Sequence, residues 1–321
     1  MRWRIKGDAK KIVLWHRKLL FIISSNQEAV LKKMKRRKWN QILPLVMLVG
    51  SLVGFSLFYF IPFIVSFFYS IVDSPIHGAF CGLQNYKELL QNPYFLKGLK
   101  NTVTFMVISI PLNMVLSLVV AFVVQSMNRY SKFFSLIFLI PLAIPSATSA
   151  FFWESFWGLH GTFNKVLRTF EISGIDWLDS KYSMIVMVNI FIWKNIGYNM
   201  ALYLSGLSSI PEQYYEYADV EGAGTLWKFK NITWLYLIPT TFLALIMTFV
   251  NSFKVFKEIY IIIGKYPPDG LYVLQHYMNN MFLSLNYSKL ASAVYILTMV
   301  IVLFVACLFR TERKLSKNLH Y

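Results

Sequence analysis

Long apolar runs without a charged residue alternate with short polar segments along the chain after residue 38. A transmembrane helix needs about 20 mostly apolar residues, because each residue advances the helix by about 1.5 Å. Lys194 is the one charged residue that interrupts such a run. The pattern predicts an all-α, polytopic membrane protein whose six transmembrane helices lie within residues 39–72, 101–128, 133–153, 183–207, 231–253 and 290–309.

Proline and capping residues refine these predicted helices. Pro141 and Pro145, four residues apart, predict a kink in the third span, because proline removes a backbone hydrogen bond. A kink suits a protein that lines a pathway and moves between two states, but proline is also commoner in membrane helices generally. The pair Asn101-Thr102 predicts the start of the second span.

Composition and charge support a membrane location. Only 15% of the 321 residues are charged, against about 25% in soluble domains, and the mean hydropathy is +0.50. Thirteen of the 32 Lys and Arg residues precede Trp39. The positive-inside rule therefore predicts a multi-pass protein of the cell membrane with both termini in the cytoplasm. Anionic membrane lipid accounts for the basic segment, which adjoins a span, so no nucleic-acid partner is expected.

Two features near the outer side leave alternatives open. Lys194 either lines a translocation route or extends its charged end toward the outer surface. The aromatic residues between the third and fourth spans either form an interfacial belt or stack on a sugar together with nearby amides. These aromatic residues are Trp153, Phe156, Trp157 and Trp177.

The most distinctive polar segment, residues 210–239, joins the fourth and fifth spans on the predicted cytoplasmic side. Its acidic residues follow helical spacing and would form one acidic face of a short helix. Its small residues would let another surface approach closely, and a second helix can begin near Thr225. The acidic residues are Glu212, Glu216 and Asp219; the small ones are Ala218, Gly222, Ala223 and Gly224; Phe229 and Ile232 are apolar anchors.

Spacing alone allows this segment either to dock into a partner or to rest on its own helix bundle. The sequence contains no Gly-x-Ser-x-Gly, no His-Glu-x-x-His and no Gly-x-x-x-x-Gly-Lys-Ser/Thr motif. The chain is therefore not expected to be an enzyme, and no cofactor or metal is expected. If the protein does energy-coupled work, the nucleotide must be bound by another chain.

The segment resembles the EAA loop of ABC-importer membrane subunits, whose pattern is Glu-Ala-Ala-x-x-Asp-Gly-Ala followed by Phe, Ile and Pro. Tyr217 replaces the middle Ala, Glu221 replaces Asp, and Leu235 stands where many members have an additional Pro. The matching residues are Glu216, Ala218, Gly222, Ala223, Phe229, Ile232 and Pro239.

Other motifs between about residues 80 and 309 are similar to carbohydrate-uptake permeases of the maltose type. The Gly-Gly-Pro that usually follows the fifth span is replaced here by residues 264–270, Gly-Lys-Tyr-Pro-Pro-Asp-Gly. The similar motifs are Gly82-Leu83-x-Asn85-Tyr86, Asn101-Thr102, Pro141 with Pro145, Gly161-x-x-Asn164, Trp193-Lys194-x-x-Gly197, Gly206-Leu207-x-x-Ile210-Pro211 and Val255-Phe256-x-x-Ile259-Tyr260.

This resemblance implies the permease subunit of an ATP-driven sugar importer, with oligosaccharide as the expected cargo. It also implies a second homologous permease, two cytoplasmic ABC ATPases and an extracytoplasmic sugar-binding protein as partners, besides membrane lipid. The alternatives are a permease for another solute, such as a phosphorylated polyol, and a non-transporting sensor or scaffold that uses the same docking loop. The implied organisation is a basic cytoplasmic segment at 1–38, a first span with its outer loop at 39–96, a type-1 transmembrane core at 97–309 and a cytoplasmic tail at 310–321.

The resemblance also assigns expected roles to individual residues. Glu216 is expected to contact a basic residue of the ATPase, and Gly222 to provide a sharp turn after the coupling helix. The expected coupling residues are Glu212, Glu216, Ala218, Asp219, Glu221, Gly222, Ala223 and Phe229. The expected substrate-pathway residues are Lys194, Asn195, Tyr198, Asn199 and Asn251.

Overall fold

A computed structural model of the chain describes residues 43–76 and 78–317. The basic segment expected at 1–38 lies outside these residues. Within the described part, the regular secondary structure is helical apart from one isolated antiparallel bridge between Val72 and Phe80. The predicted all-α class is therefore confirmed.

The helices are numbered here in chain order. They are α1 (Leu43–Ser70), α2 (Gln84–Gln91), α3 (Pro93–Ser126), α4 (Ser131–Ala143), α5 (Ser146–Trp157), α6 (Thr162–Thr169), α7 (Ser183–Ser208), α8 (Gln213–Val220), α9 (Thr225–Lys228), α10 (Trp234–Ser252), α11 (Phe256–Ile263), α12 (Leu274–Leu283) and α13 (Tyr287–Lys317). A π-helical turn, Phe229–Thr233, joins α9 to α10, and a 3₁₀ turn, Phe253–Val255, joins α10 to α11.

Five described helices are long and apolar enough to cross a membrane: α1, α3, α7, the continuous path Thr225–Ile263, and α13. A sixth crossing is available if the bent pair Ser131–Ala143 and Ser146–Thr169 is one span. The pair bends by 95°. Ile144 is extended at the bend, as expected for a residue that precedes a proline. The kink predicted from Pro141 and Pro145 is therefore a complete break.

The predicted start of the second span at Asn101-Thr102 is wrong. The helix starts at Pro93, because the Asn92 side-chain oxygen accepts hydrogen bonds from the Tyr94 and Phe95 N–H groups, at 2.9 and 3.1 Å. Asn101 and Thr102 lie about two turns inside α3 and hold the outer segment before α12. Asn101 Nδ2 donates to the Asp269 and Tyr272 carbonyl oxygens, and Thr102 Oγ1 accepts from the Leu274 N–H.

The chain divides into two compact units, Met1–Ser66 and Phe67–Tyr321. In the first unit, the described residues 43–66 form most of α1, and nearly all of its large apolar side chains are exposed. Exposure of that kind suits a helix whose solvent is lipid hydrocarbon. The second unit holds all the other helices and three hydrophobic clusters.

The centre of the second unit is the pair α3 and α7, with α4 and α10 also packed against α7. Glycine permits the closest of these approaches. A β-carbon built on Gly197 of α7 would lie 1.8 Å from the Phe138 carbonyl oxygen of α4. Small residues at such crossings are typical of membrane helix packing. The Gly197 motif residue therefore sets the distance between two helices.

Replacing Gly197 with alanine is expected to lower the free energy of unfolding by about 1–3 kcal/mol, because backbone atoms of α4 must move to admit the methyl group. The measurement is the unfolding transition of the purified protein in detergent. Gly54→Ala in α1 is the matched control, since a β-carbon there meets no atom within 4 Å. Equal transitions for the two variants would contradict the close α4–α7 crossing.

Candidate functional site

The first candidate site is the short helix α8, which lies between the fourth span and the continuous path Thr225–Ile263. Its C-terminus is closed by two backbone hydrogen bonds: the Ala223 N–H donates to the Ala218 carbonyl at 2.8 Å, and the Gly222 N–H donates to the Asp219 carbonyl at 3.0 Å. This is the Schellman arrangement, which needs a left-handed residue after the helix. Gly222 supplies it with φ +73°. The chain then turns directly into α9, at the predicted residue Thr225.

One face of α8 rests on its own bundle. Ala218 is buried in a cluster with Ile232, and the Tyr215 hydroxyl lies 2.8 Å from Thr233 Oγ1. Asp219 forms an ion pair with Lys228 of α9. The small size of Ala218 thus allows close packing within this chain, and the same residue borders an open hollow beside Tyr217. The same contacts fix α8 to the helix that follows it.

The other face of α8 is exposed and mixes carboxylates with large apolar side chains. Tyr217 is 70% exposed and Val220 is 87% exposed, and Leu226 of α9 extends this surface at 81%. Glu212, Glu216 and Glu221 are exposed beside them. Large apolar side chains exposed next to carboxylates are typical of interaction surfaces. The contacts with the bundle account for one face of the helix, and docking of a partner on the other face stays a prediction.

Phe229 and Ala223 lie beside this surface in different ways. Phe229 tilts against Phe122 of α3, with 6.0 Å between ring centroids, and lines a groove of about 1080 Å³. Ala223 borders a hollow of about 720 Å³ that Tyr217 and Trp227 also line. Both spaces open beside α8, because Glu212 borders the groove and Glu221 borders the hollow.

The second candidate site is a cavity of about 100 Å³ between α5, α7, α10 and α11. Three of the expected pathway residues line it: Lys194, Asn195 and Asn251. Lys194 forms a buried ion pair with Glu258 of α11 and also donates to Ser146 Oγ of α5 at 3.1 Å. Lys194 therefore lies inside the bundle beside a cavity, and the alternative in which it extends to the outer surface is wrong.

The structure does not bring Tyr198 or Asn199 to this cavity. Asn199 is almost completely buried, and its Nδ2 lies 2.5 Å from Asn113 Oδ1 of α3 and 2.6 Å from Thr248 Oγ1 of α10. It therefore joins three helices in the bundle core. Tyr198 is partly exposed and borders none of the cavity's walls.

Sequence reasoning missed Glu258, which lies just beyond the charge-free run of the fifth span. Lys194 was a signal in the sequence that such an acidic residue could exist, because a lysine inside a span requires a partner or an aqueous cavity. Lys254 and Lys257 also line the cavity and were likewise missed.

The aromatic residues of α5 and of the segment between α6 and α7 pack together instead of forming an open stacking surface. Trp153 and Trp157 are buried in one cluster, against which Trp177 packs. Asn164 fixes the loop above them: it donates to the Ile175 carbonyl at 2.7 Å and accepts from the Trp177 indole N–H at 3.0 Å. The amide thus organises this loop from inside.

The outer segment before α13 contains a buried histidine. His276 of α12 is fully buried, its Nδ1 accepts from the Val273 N–H at 3.2 Å, and the rings of Phe256 and Tyr272 lie against it. Burial lowers the pKa of His276 to about 4, from the ordinary 6.5, because the apolar surroundings disfavour the charged form.

Acidification from pH 7 to pH 5 is expected to destabilise the protein through His276 by about 2 kcal/mol. In that interval the unfolded histidine binds a proton and the folded one does not, so the contribution is complete above pH 6.5 and decreases as the pH falls toward 4. Unfolding transitions of the native protein and of His276→Gln across this range give, for each protein, the slope of the free energy of unfolding against pH. A variant slope as steep as the native one would contradict the assignment.

Comparison with known proteins places this geometry in context. Residues 113–319 match the family described as "Binding-protein-dependent transport system inner membrane component". The matched stretch includes α8 and every residue of the charged cavity. The Probable ABC transporter permease protein YurN of Bacillus subtilis is 30% identical over 274 residues, which are 82% of this chain and 93% of that protein.

Two other relatives carry more specific names. The Trehalose/maltose transport system permease protein MalF of Thermococcus litoralis is 31% identical over 231 residues, covering 70% of this chain and 76% of its own length. The sn-glycerol-3-phosphate transport system permease protein UgpA of Agrobacterium fabrum is 28% identical over 291 residues, covering 88% of this chain and 97% of its own length.

Among solved structures, a chain of a bacterial ABC transporter involved in the import of the acidic polysaccharide alginate has the same fold. Its TM-score is 0.74 at 22% identity, over 87% of this chain and 99% of that chain. A chain of a bacterial alginate ABC transporter, solved in complex with an alginate pentasaccharide-bound periplasmic protein, has a TM-score of 0.75 at 22% identity.

Proposed function

Because the chain belongs to the family of binding-protein-dependent transport system inner membrane components, we propose that it is the membrane-spanning permease subunit of an ATP-driven sugar importer. The observation that carries the proposal is the exposed face of α8, where Glu216 lies beside Tyr217 and Val220. That face is the surface on which a separate ATPase would act.

The proposed assembly contains this chain, a second homologous permease, two cytoplasmic ABC ATPases and an extracytoplasmic sugar-binding protein. The absence of a phosphate-loop motif from the sequence supports a separate ATPase. The basic residues before Trp39 support cytoplasmic termini in this multi-pass membrane protein. Within it, we propose residues 97–309 as the transport core, flanked by the first span with its outer loop at 39–96, the basic segment at 1–38 and the tail at 310–321.

The contacts of α8 suggest how movement at the ATPase reaches the substrate. The Asp219–Lys228 ion pair and the Tyr215–Thr233 contact join α8 to the beginning of the path Thr225–Ile263. The same helical path carries Glu258 at its other end, beside Lys194 of the fourth span. A displacement of α8 is therefore transmitted along one helix to the cavity, as alternating access requires.

The proposed cargo is a sugar. Relatives named for trehalose/maltose and for arabinooligosaccharides support this class, and the amides and hydroxyl of Asn195, Asn251 and Ser146 suit sugar hydroxyl groups. The relative named for sn-glycerol-3-phosphate supports a second candidate, a phosphorylated polyol.

The test is uptake by the assembled transporter, with its cognate partners, in liposomes loaded with ATP. Accumulation of a radiolabelled sugar that requires both ATP and the binding protein is the expected result. Uptake of glycerol 3-phosphate and of no sugar would favour the second candidate. Absence of uptake for every solute, despite an assembled complex, would contradict the transport function and favour a sensor or scaffold.

A further inference from the structure

The charges around the 100 Å³ cavity do not balance. Three lysines and one carboxylate line it: Lys194, Lys254, Lys257 and Glu258. The buried ion pair between Lys194 and Glu258 neutralises one lysine. Two positive charges remain beside a cavity of the transmembrane core.

The remaining lysines have no carboxylate of their own. Within residues 43–76 and 78–317, neither Lys254 nor Lys257 has a carboxylate oxygen within 4.0 Å. Lys254 Nζ instead donates to the Asn251 side-chain oxygen at 2.7 Å. That bond leaves the full positive charge in place, because the amide is neutral.

Both lysines belong to the helical path Thr225–Ile263, which is long and apolar enough to span a membrane. They follow directly after the charge-free run of the fifth span, which ends at Phe253. Lys254 and Lys257 are three residues apart and therefore lie on one face. They share that face with the cavity wall and, through the cavity, with Lys194. Both side chains border the cavity and are also exposed at the surface of the single chain.

We propose that Lys254 and Lys257 form a binding site for an anionic group of the transported solute, so that the cargo is a sugar bearing a carboxylate or a phosphate. This inference rests on the proposed function. The site offers two charge-assisted hydrogen-bond donors to the anion, while Asn251, Asn195 and Ser146 supply neutral partners for the sugar hydroxyl groups. The Lys194–Glu258 pair supplies no net charge and forms the rigid wall of the site.

The test uses the assembled transporter in liposomes and measures uptake of three probes. These are an oligogalacturonate, a sugar phosphate and the neutral maltotriose. Uptake of an acidic probe and not of maltotriose is expected. In Lys254→Gln/Lys257→Gln, the half-saturating concentration of that probe should rise by roughly tenfold or more, because each replacement removes a charge-assisted hydrogen bond to the anion. Which of the two acidic probes is taken up shows whether the site binds a carboxylate or a phosphate.

The matched control removes two lysines from the outer surface instead. Lys165 and Lys181 are exposed outside the cavity, so Lys165→Gln/Lys181→Gln should leave the half-saturating concentration unchanged. Lys254→Arg/Lys257→Arg, which keeps both charges, should retain uptake of the acidic probe.

If the glutamine variant does not assemble, thiol labelling of Asn251→Cys in a Cys81→Ser/Cys307→Ala background tests whether the cavity attracts anions. Faster reaction with an anionic than with a cationic methanethiosulfonate is then expected.

The outcomes separate this inference from the proposed function. Uptake of maltotriose that the glutamine variant does not alter would overturn the anion site and leave the sugar importer intact. Acidic uptake that is insensitive to the glutamine variant, or faster cationic labelling, would also overturn it. Uptake of none of the three probes would count against the anion site, and absence of all solute uptake would contradict the importer as well.

Discussion

Replacing Glu258 with alanine is expected to lower the free energy of unfolding by about 3–5 kcal/mol. The Glu258 side chain is 3% exposed and that of Lys194 is 18% exposed, and the two form an ion pair between α11 and α7. Removing one partner leaves the other charge buried without compensation, and this uncompensated charge, rather than the lost attraction, dominates the effect. Unfolding transitions in detergent, or in lipid nanodiscs, measure the change.

A double variant identifies the cause. In Lys194→Met/Glu258→Leu both charges are absent, so most of the lost stability should return, because a buried ion pair and an apolar pair of similar size are often equally stable. Glu154→Ala is the control, since Glu154 is an exposed carboxylate on α5. A double variant no more stable than Glu258→Ala would contradict the proposed pairing.

Replacing Glu216 with lysine is expected to reduce transport by at least roughly tenfold, while the protein still folds. Glu216 is exposed on α8 and forms no salt bridge within the described residues, so its replacement leaves the chain itself undisturbed. In the proposed assembly a lysine there would face a basic residue of the ATPase, and a like-charge contact costs several kcal/mol. Recovery of the ATPase with the purified permease, and ATP-dependent uptake, are the two measurements.

Glu171→Lys provides the same change of charge on an exposed outer-loop residue far from α8. It should alter neither measurement. Normal uptake and normal ATPase recovery in Glu216→Lys would contradict the assignment of α8 as the coupling surface. Normal recovery with lost uptake would instead place the effect of Glu216 in the transmission of movement after docking.

The helices and the local structure of residues 210–239 were predictable from sequence because their signals are local. A run of apolar residues must cross the membrane whatever surrounds it, and the left-handed turn after α8 requires a residue such as Gly222. The start at Thr225 followed from the same local rules. The early start of α3 was equally local, but the stronger cap at Asn92 was overlooked in favour of Asn101.

The cavity was less predictable, because polar residues one helical turn apart have different neighbours. Asn195 and Asn199 lie on the same side of α7, yet Asn195 borders the cavity and Asn199 is bonded to Asn113 in the core. Helical spacing cannot distinguish a polar residue that faces water from one that faces another helix. The pairing of Lys194 with Glu258, 64 residues apart in sequence, likewise depends on how the helices assemble.

The π-helical turn Phe229–Thr233 sets the angular position of everything that follows it in the fifth span. Each residue advances an α-helix by about 100°, so deleting one residue from this turn would rotate α10 and α11 by about that angle around their axis. Glu258 would then point away from Lys194, and Lys254 would turn away from the cavity. The length of this turn is therefore constrained by a site more than 20 residues further along the chain. An insertion here is tolerable only with a nearby deletion, or the reverse, that restores the orientation of α10 and α11.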